Sequence, residues 1–339
     1  MKRRLLIVGG RQRKKALDLD EWQAYEKAVI LKIDLDSFSI DTVLEHETPP
    51  ALCAEQNPAI VFKAGDLDEK NHRLIVCTQT EILEFDTLSW QQTFSFSHAS
   101  FNDVHHVCYQ DQDHLLVANT GLDQILQIAI DRENHSFSKI AQEWPTGKTA
   151  TWDRFDPKID YRKVPTTKPH ESHPNFVFCH GGRVYATRFH QKDAIDVEQK
   201  ESTFDIEAGN PHDGIVDGHT VIFTTTNGMI VDFDLESGKR TRTVDLNSIS
   251  SQGQLLGWCR GIRPVHPQSC WIGFSRIRPT WLRKNLSWIK QGFRTKGEYG
   301  TEPTRVAEYD LENRSLIREL DLEKEGMNAV FGIYLESIP

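Results

Sequence analysis

The sequence has little that would mark it as a membrane, nucleic-acid-binding or disulfide-stapled protein. No apolar run approaches the roughly 18 residues that a membrane span needs. Basic residues are outnumbered, 40 against 49 acidic, for a net charge of −9. That balance argues against a general phosphate-backbone binder, which needs an excess of Lys and Arg. The six cysteines form no CxxC pair and mostly sit inside apolar runs, a pattern of buried free thiols expected in a reducing, cytoplasmic setting. GxSxG, HExxH and GxGxxG signatures are all missing. "TGKT" at 146–149 lacks the upstream glycine of a phosphate loop. The opening "MKRRLLIVGGRQRKK" has too short an apolar stretch for a signal peptide and reads as a strand.

Helical periodicity is also scarce. "LDLDEWQAYEKAV" (Leu17–Val29) is the one helix candidate, so the helices a doubly wound fold requires are not supplied. What the chain does contain is a repeat. "NPAIVFKAGDLDEKNHRLIVCTQTEILEFD", "DVHHVCYQDQDHLLVANTGLDQILQIAID", "HPNFVFCHGGRVYATRFHQKDAIDVE" and "HDGIVDGHTVIFTTTNGMIVDFDLESGK" share one plan. Each has a polar lead-in, a short apolar run, a turn, a second β-rich run and then alternating strands. The alternation of Ile230, Asp232 and Asp234 against Val231, Phe233 and Leu235 has the period of two that belongs to strands. "CRGIRPVHPQSCWIGFSRIRP" begins a fifth unit. The C-terminal "MNAVFGIYLESIP" resembles a first strand, and the N-terminal strands lack one. Joined, the two ends complete a sixth unit and remove an exposed sheet edge.

The expectation is therefore an all-β chain forming one domain over residues 1–339: a six-bladed β-propeller of four-stranded blades, closed by its C-terminal strand. Units begin near Asn57, Asp103, His173, His212, Cys259 and Met327, mostly at blade-sized spacing. Insertions fall at about 144–170 and 279–303. The second and third units, "DVHHVCYQDQDHLLVANTGLDQILQI" and "HPNFVFCHGGRVYATRFHQKDAI", resemble those of NHL-repeat and SMP-30 (gluconolactonase)-like propellers. That resemblance implies an axial metal held by Glu, Asn and Asp. This chain offers histidines at the equivalent places instead.

In a propeller, the lead-ins to the first strands and the ends of the second strands share one rim. His105, His173 and His212 thereby become candidate ligands for one divalent transition metal (Zn, Fe or Mn), since imidazoles suit first-row metals. Glu55, Asp103 and Asp213 are the candidate carboxylates, as catalytic base or completing ligand. Arg188, Arg260 and Arg276, with Asn119, Asn175, Asn227 and Asn328, are candidates to bind a small anionic substrate, because guanidinium groups grip carboxylate or phosphate with two prongs. Each Arg equally well pairs with a neighbouring acidic residue, and wet propeller channels are lined by His and Asn without any metal. Ser275 is a weaker nucleophile candidate. The basic, aromatic 279–303 insertion, with Trp281 and Trp288, leaves from the rim as a lid or a surface for a protein partner. The functional reading is a metal-dependent hydrolase, lyase or isomerase. The alternatives are a non-catalytic interaction propeller or a metal-free anion receptor.

Overall fold

The computed structural model describes residues 2–14, 19, 23–134, 136–250, 254–266, 269–277 and 300–338. Most of the 279–303 insertion, with Trp281 and Trp288, lies outside the described residues, as does most of the 15–22 segment.

Most strands assemble into four-stranded antiparallel meanders, in chain order except where the C-terminal strand leads sheet A, and Gln254–Leu255 pairs separately with Gly300–Thr301 in parallel. Sheet A contains Ala329–Ile338, Lys2–Gln12, Tyr25–Asp34 and Ile40–His46. Sheet B runs through Lys63–Asp68, Arg73–Cys77, Ile82–Asp86 and Gln92–Phe96. Sheet C follows with Val104–Tyr109, His114–Asn119, Gln124–Asp131 and Ser136–Pro145. Sheet D has Val177–His180, Arg183–Arg188, Asp193–Asp196 and Glu201–Asp205. Sheet E has Pro211–Asp217, Thr220–Thr225, Met229–Asp234 and Arg240–Asp245. Sheet F has Trp258–His266, Ser269–Ser275, Arg305–Asp310 and Ser315–Asp321. The helix expected over Leu17–Val29 is corrected at its C-terminal end: Tyr25–Val29 belong to a strand. Ala28, Val29 and Ile30 are all buried, and they pair with Gly10, Gly9 and Val8. Tertiary pairing overrides the weak local helix pattern.

The core lies between sheets. Leu5 and Ile7 pack toward Trp271 and Val306 of sheet F, whereas Leu6 and Val8 pack toward Phe62, Leu74 and Val76 at sheet B. A two-residue alternation thus feeds two separate cores from one strand. Sheets B and C share Ile75, Val107 and Val117. Sheets C and D share Leu116, Val177 and Ala186. Face-to-face packing of four-stranded meanders is the β-propeller arrangement. The leading strands lie side by side, with sheets B and C bridged in parallel at Ala64 and His106.

A register shift recurs in those leading strands. It falls between Lys63 and Asp66, Val104 and His106, Pro211 and Asp213, and Arg260 and Ile262. Sheet A shifts where Phe331 is left out between Val330 and Gly332. Such a bulge leaves a residue unpaired and re-aims side chains. In sheet F the omitted residue is Gly261, at φ +65°, a backbone state that glycine adopts without steric cost.

The 144–170 insertion is ordered and straps sheets B and C. It carries a short helical turn, Thr151–Arg154, and a 3-10 turn, Tyr161–Lys163. Asn102 Nδ2 donates to the carbonyls of Tyr161 and Val164, each at 2.8 Å. Lys163 Nζ reaches the carbonyls of Pro50 (2.6 Å) and Cys53 (3.0 Å). Thr167 donates to the Gly121 carbonyl, and the strap ends at His170.

Candidate metal and anion site

The bulges bring side chains from several sheets together. The His105 ring lies 5.1 Å from that of His173 and 5.7 Å from that of His212. His212 in turn lies 6.0 Å from Phe331, and the Arg260 guanidinium sits 4.3 Å from the centre of the Phe331 ring. His106, one residue on from His105, turns into the blade and packs 4.8 Å from Phe176. Of the two adjacent histidines, His105 is therefore the one at the cluster.

Two residues that the sequence reading did not single out complete the geometry. His170, at the end of the strap, stacks on His173 at 4.8 Å, with the two Nδ1 atoms 2.6 Å apart. Lys63, on the leading strand of sheet B, forms a buried ion pair with Asp103 and lies 3.3 Å from His105 Nδ1. The potential ligand atoms of Asp103, His170 and His173 all lie within 4.8 Å of one another. Signals for both were present in the sequence: an HxxH spacing in "HESH", and a lone charge inside the apolar "IVFKAG".

Backbone conformation aims these groups. Asp103 and His173 both have positive φ, +51° and +57°, an uncommon state for residues other than glycine. His173 is held there by Asp123, itself at the end of a 3-10 turn of sheet C. Asp123 Oδ1 accepts from the backbone N–H of Ser172 (2.9 Å) and His173 (2.7 Å) and from Ser172 Oγ (2.8 Å). Its Oδ2 accepts from the Glu171 N–H at 2.7 Å and Arg154 Nη1 at 2.6 Å. Burial opposes the charged form of Asp123, but these donors hold its carboxyl below the usual range.

Burial also sets the charge state of the imidazoles. It pushes His105 down to about 3, helped by the Lys63 ammonium, and His173 and His212 well below their usual value. His170 is lowered for the same reason. These rings are neutral at pH 7, which is the ligating form. His105 Nδ1 lies 2.7 Å from the Asp103 carbonyl. A carbonyl only accepts, and this contact is much shorter than the 3.3 Å to the Lys63 ammonium, so it favours the proton on Nδ1 and the lone pair on Nε2. Burial would raise Asp103, yet Lys63 beside it holds it well below the ordinary carboxylate range.

The other candidates are dispersed or occupied. Asp213 is buried, accepts from the Gly214 N–H at 2.9 Å, and is pushed up to about 7 by burial, with the Gly214 and Gly261 amides opposing. Glu55 is exposed on the bend ahead of sheet B. Arg188 grips Asp193 with Nε and Nη2 (2.9 and 2.5 Å), and Arg276 grips Glu323 likewise (2.7 and 2.8 Å). Asn119 accepts from the Asn102 N–H and donates to the Ser100 carbonyl; Asn227 accepts from Thr225 and donates to the Ala208 carbonyl. Both amides tie a second strand to the preceding loop. Asn328 Oδ1 accepts from the Gln12 N–H. Asn175 donates to the Pro211 carbonyl, while its buried Oδ1 has no hydrogen-bond partner among the described residues. Ser275 is fully buried and linked to the Val330 backbone.

No protein-family model and no curated protein matches the chain. Its likeness is to solved structures. One is a Bacteroides caccae protein of unknown function, with a TM-score of 0.61 and 12% identity over all of both chains. Another is in a nidogen/laminin complex, with a TM-score of 0.56 and 9% identity over 99% of this chain and 98% of that one. A third is a Bacteroides uniformis protein described as a "putative 6-phosphogluconolactonase", with a TM-score of 0.51 and 9% identity over 98% and 99%. At these identities the likeness is one of fold alone. Among the described residues, no helix is long and apolar enough to cross a membrane.

Proposed function

We propose that the chain is a metal-dependent hydrolase for a small anionic substrate, working where the leading strands converge. The observation that carries this reading is the convergence of the Asp103, His170 and His173 ligand atoms within 4.8 Å. Two neutral imidazoles and one carboxylate suit Zn, Fe or Mn and leave coordination positions open. A metal held there would supply Lewis-acid polarisation of a substrate oxygen. His105 and His212 line the same space, and Arg260 and Lys63 supply positive charge. The fold is shared with a protein described as a "putative 6-phosphogluconolactonase", so hydrolysis is the reaction class we propose.

The same reading takes the sheets as six blades of one closed domain, of the NHL or SMP-30-like type and in a cytoplasmic setting. Support for closure comes from the C-terminal strand Ala329–Ile338 pairing with Lys2–Gln12, and from shared cores that link each sheet to two others. The test is elemental analysis of the purified protein with Zn²⁺ and Mn²⁺ titration. One equivalent is expected in the wild type and none in His170→Ala or His173→Ala; metal content unchanged in both variants overturns the assignment. A metal-free anion receptor is the second reading. It is favoured by the His170–His173 hydrogen bond and the Lys63–Asp103 pair, which already satisfy these groups. It predicts thermal stabilisation by anions in metal-stripped protein without turnover.

A further inference from the structure

Lys63 is unusual for its position. It is 5% exposed, on the leading strand of sheet B, with its ammonium held by Asp103 and close to His105. A buried ammonium is costly unless an anion compensates it. Among the described residues, Asp103 is the one carboxylate in ion-pair contact with Lys63. Asp103 also belongs to the cluster that would ligate a metal. One negative charge therefore faces two claims, from the ammonium and from a divalent ion. Arg260 adds a second cation to the same cluster, seated on Phe331. The surrounding imidazoles offer no negative charge in return.

We propose that Lys63 is the oxyanion-binding residue of this site and exchanges partners. It pairs with Asp103 when the metal is absent, and with a carboxylate, sulfate or phosphate group of the ligand when Asp103, His170 and His173 hold the metal. The inference rests on the metal reading above and deepens it by naming the anion's anchor. Its consequence is reciprocal coupling: an oxyanion that takes over Lys63 leaves Asp103 to the metal, so each ligand tightens the other by the same factor. Arg260, whose guanidinium lies over Phe331 on the far side of His212, supplies the second positive group.

The experiment is Mn²⁺ titration of metal-stripped protein in sodium chloride, acetate or sulfate at matched ionic strength. Acetate stands for a carboxylate ligand and sulfate for a phosphate-like one. At least one of them is expected to tighten Mn²⁺ about fivefold or more over chloride, and the arm that responds identifies the oxyanion class. Lys63→Met is expected to bind Mn²⁺ more tightly in chloride and to lose the anion effect, which Lys63→Arg restores. Mn²⁺ binding of equal affinity in all three salts overturns the exchange while leaving the metal site standing. No Mn²⁺ binding in any salt overturns both. The wild-type comparison is decisive even where a Lys63 variant fails to fold.

Discussion

Asp123 shows how one carboxylate can position a site it does not enter. Five donors converge on its two oxygens, three of them the consecutive amides of Glu171, Ser172 and His173. The direction of the His170 and His173 side chains follows from where those amides are pinned. Asp123→Asn keeps the size of the side chain but sets an NH₂ against N–H donors. Supporting groups of this kind commonly govern metal affinity by 10–100-fold. Mn²⁺ affinity is therefore expected to fall about tenfold or more in the variant, with far-UV circular dichroism unchanged. Unaltered affinity in a folded variant would show that the strap end is held by other contacts.

Between elements, one buried polar network lies where sheets A and B meet. Glu336, on the C-terminal strand, is fully buried and accepts from Arg4 Nε at 2.9 Å, from Thr87 Oγ1, and pairs with His72 Nδ1 at 3.0 Å. Arg4 also donates to the Thr87 carbonyl at 2.8 Å. Sheets A and B are joined through this network. Removing one member of a buried ion pair strands the other charge, at a cost of about 3–5 kcal/mol. Glu336→Ala is expected to lower stability by about that amount in urea unfolding. The double variant Arg4→Met, Glu336→Met should recover most of the loss, since apolar replacement of both partners is often neutral. Equal stability of the single variant and wild type would mean that the network adds nothing to the junction.

Across the whole molecule, the buried histidines make stability depend on pH. His105 and His106 are both pushed down to about 3 by burial, and His173 and His212 lie well below their usual value. A folded-state value below the unfolded one, near 6.5, means that the unfolded chain takes up protons first as pH falls. The stabilising contribution is thus complete above about pH 6.5 and shrinks on acidification toward the folded values. Each fully buried imidazole adds a slope of about 1.4 kcal/mol per pH unit in that window. Metal-free protein should unfold at progressively lower urea concentration from pH 7 to pH 5. A flat profile would show that the rings protonate without unfolding.

Strand content, the repeat and the lead-in positions were legible in the sequence, because a period of two and a recurring polar lead-in are local properties. His105, His173, His212 and Asp103 could be singled out for the same reason. Where the side chains point was not legible. The bulges that re-aim His105 and His212 are properties of paired strands, so no single strand reveals them. Nothing local in the sequence marks Arg188 and Arg276 as paired, yet both forks grip Asp193 and Glu323, partners chosen by three-dimensional proximity. His170 joins the cluster because the strap from 146 to 170 is anchored across sheets B and C. The sequence by itself determined which segments become strands and which polar residues lead into them. Only the tertiary structure decided which of those residues share a charge, because that depends on distances between sheets, and local patterning does not encode them.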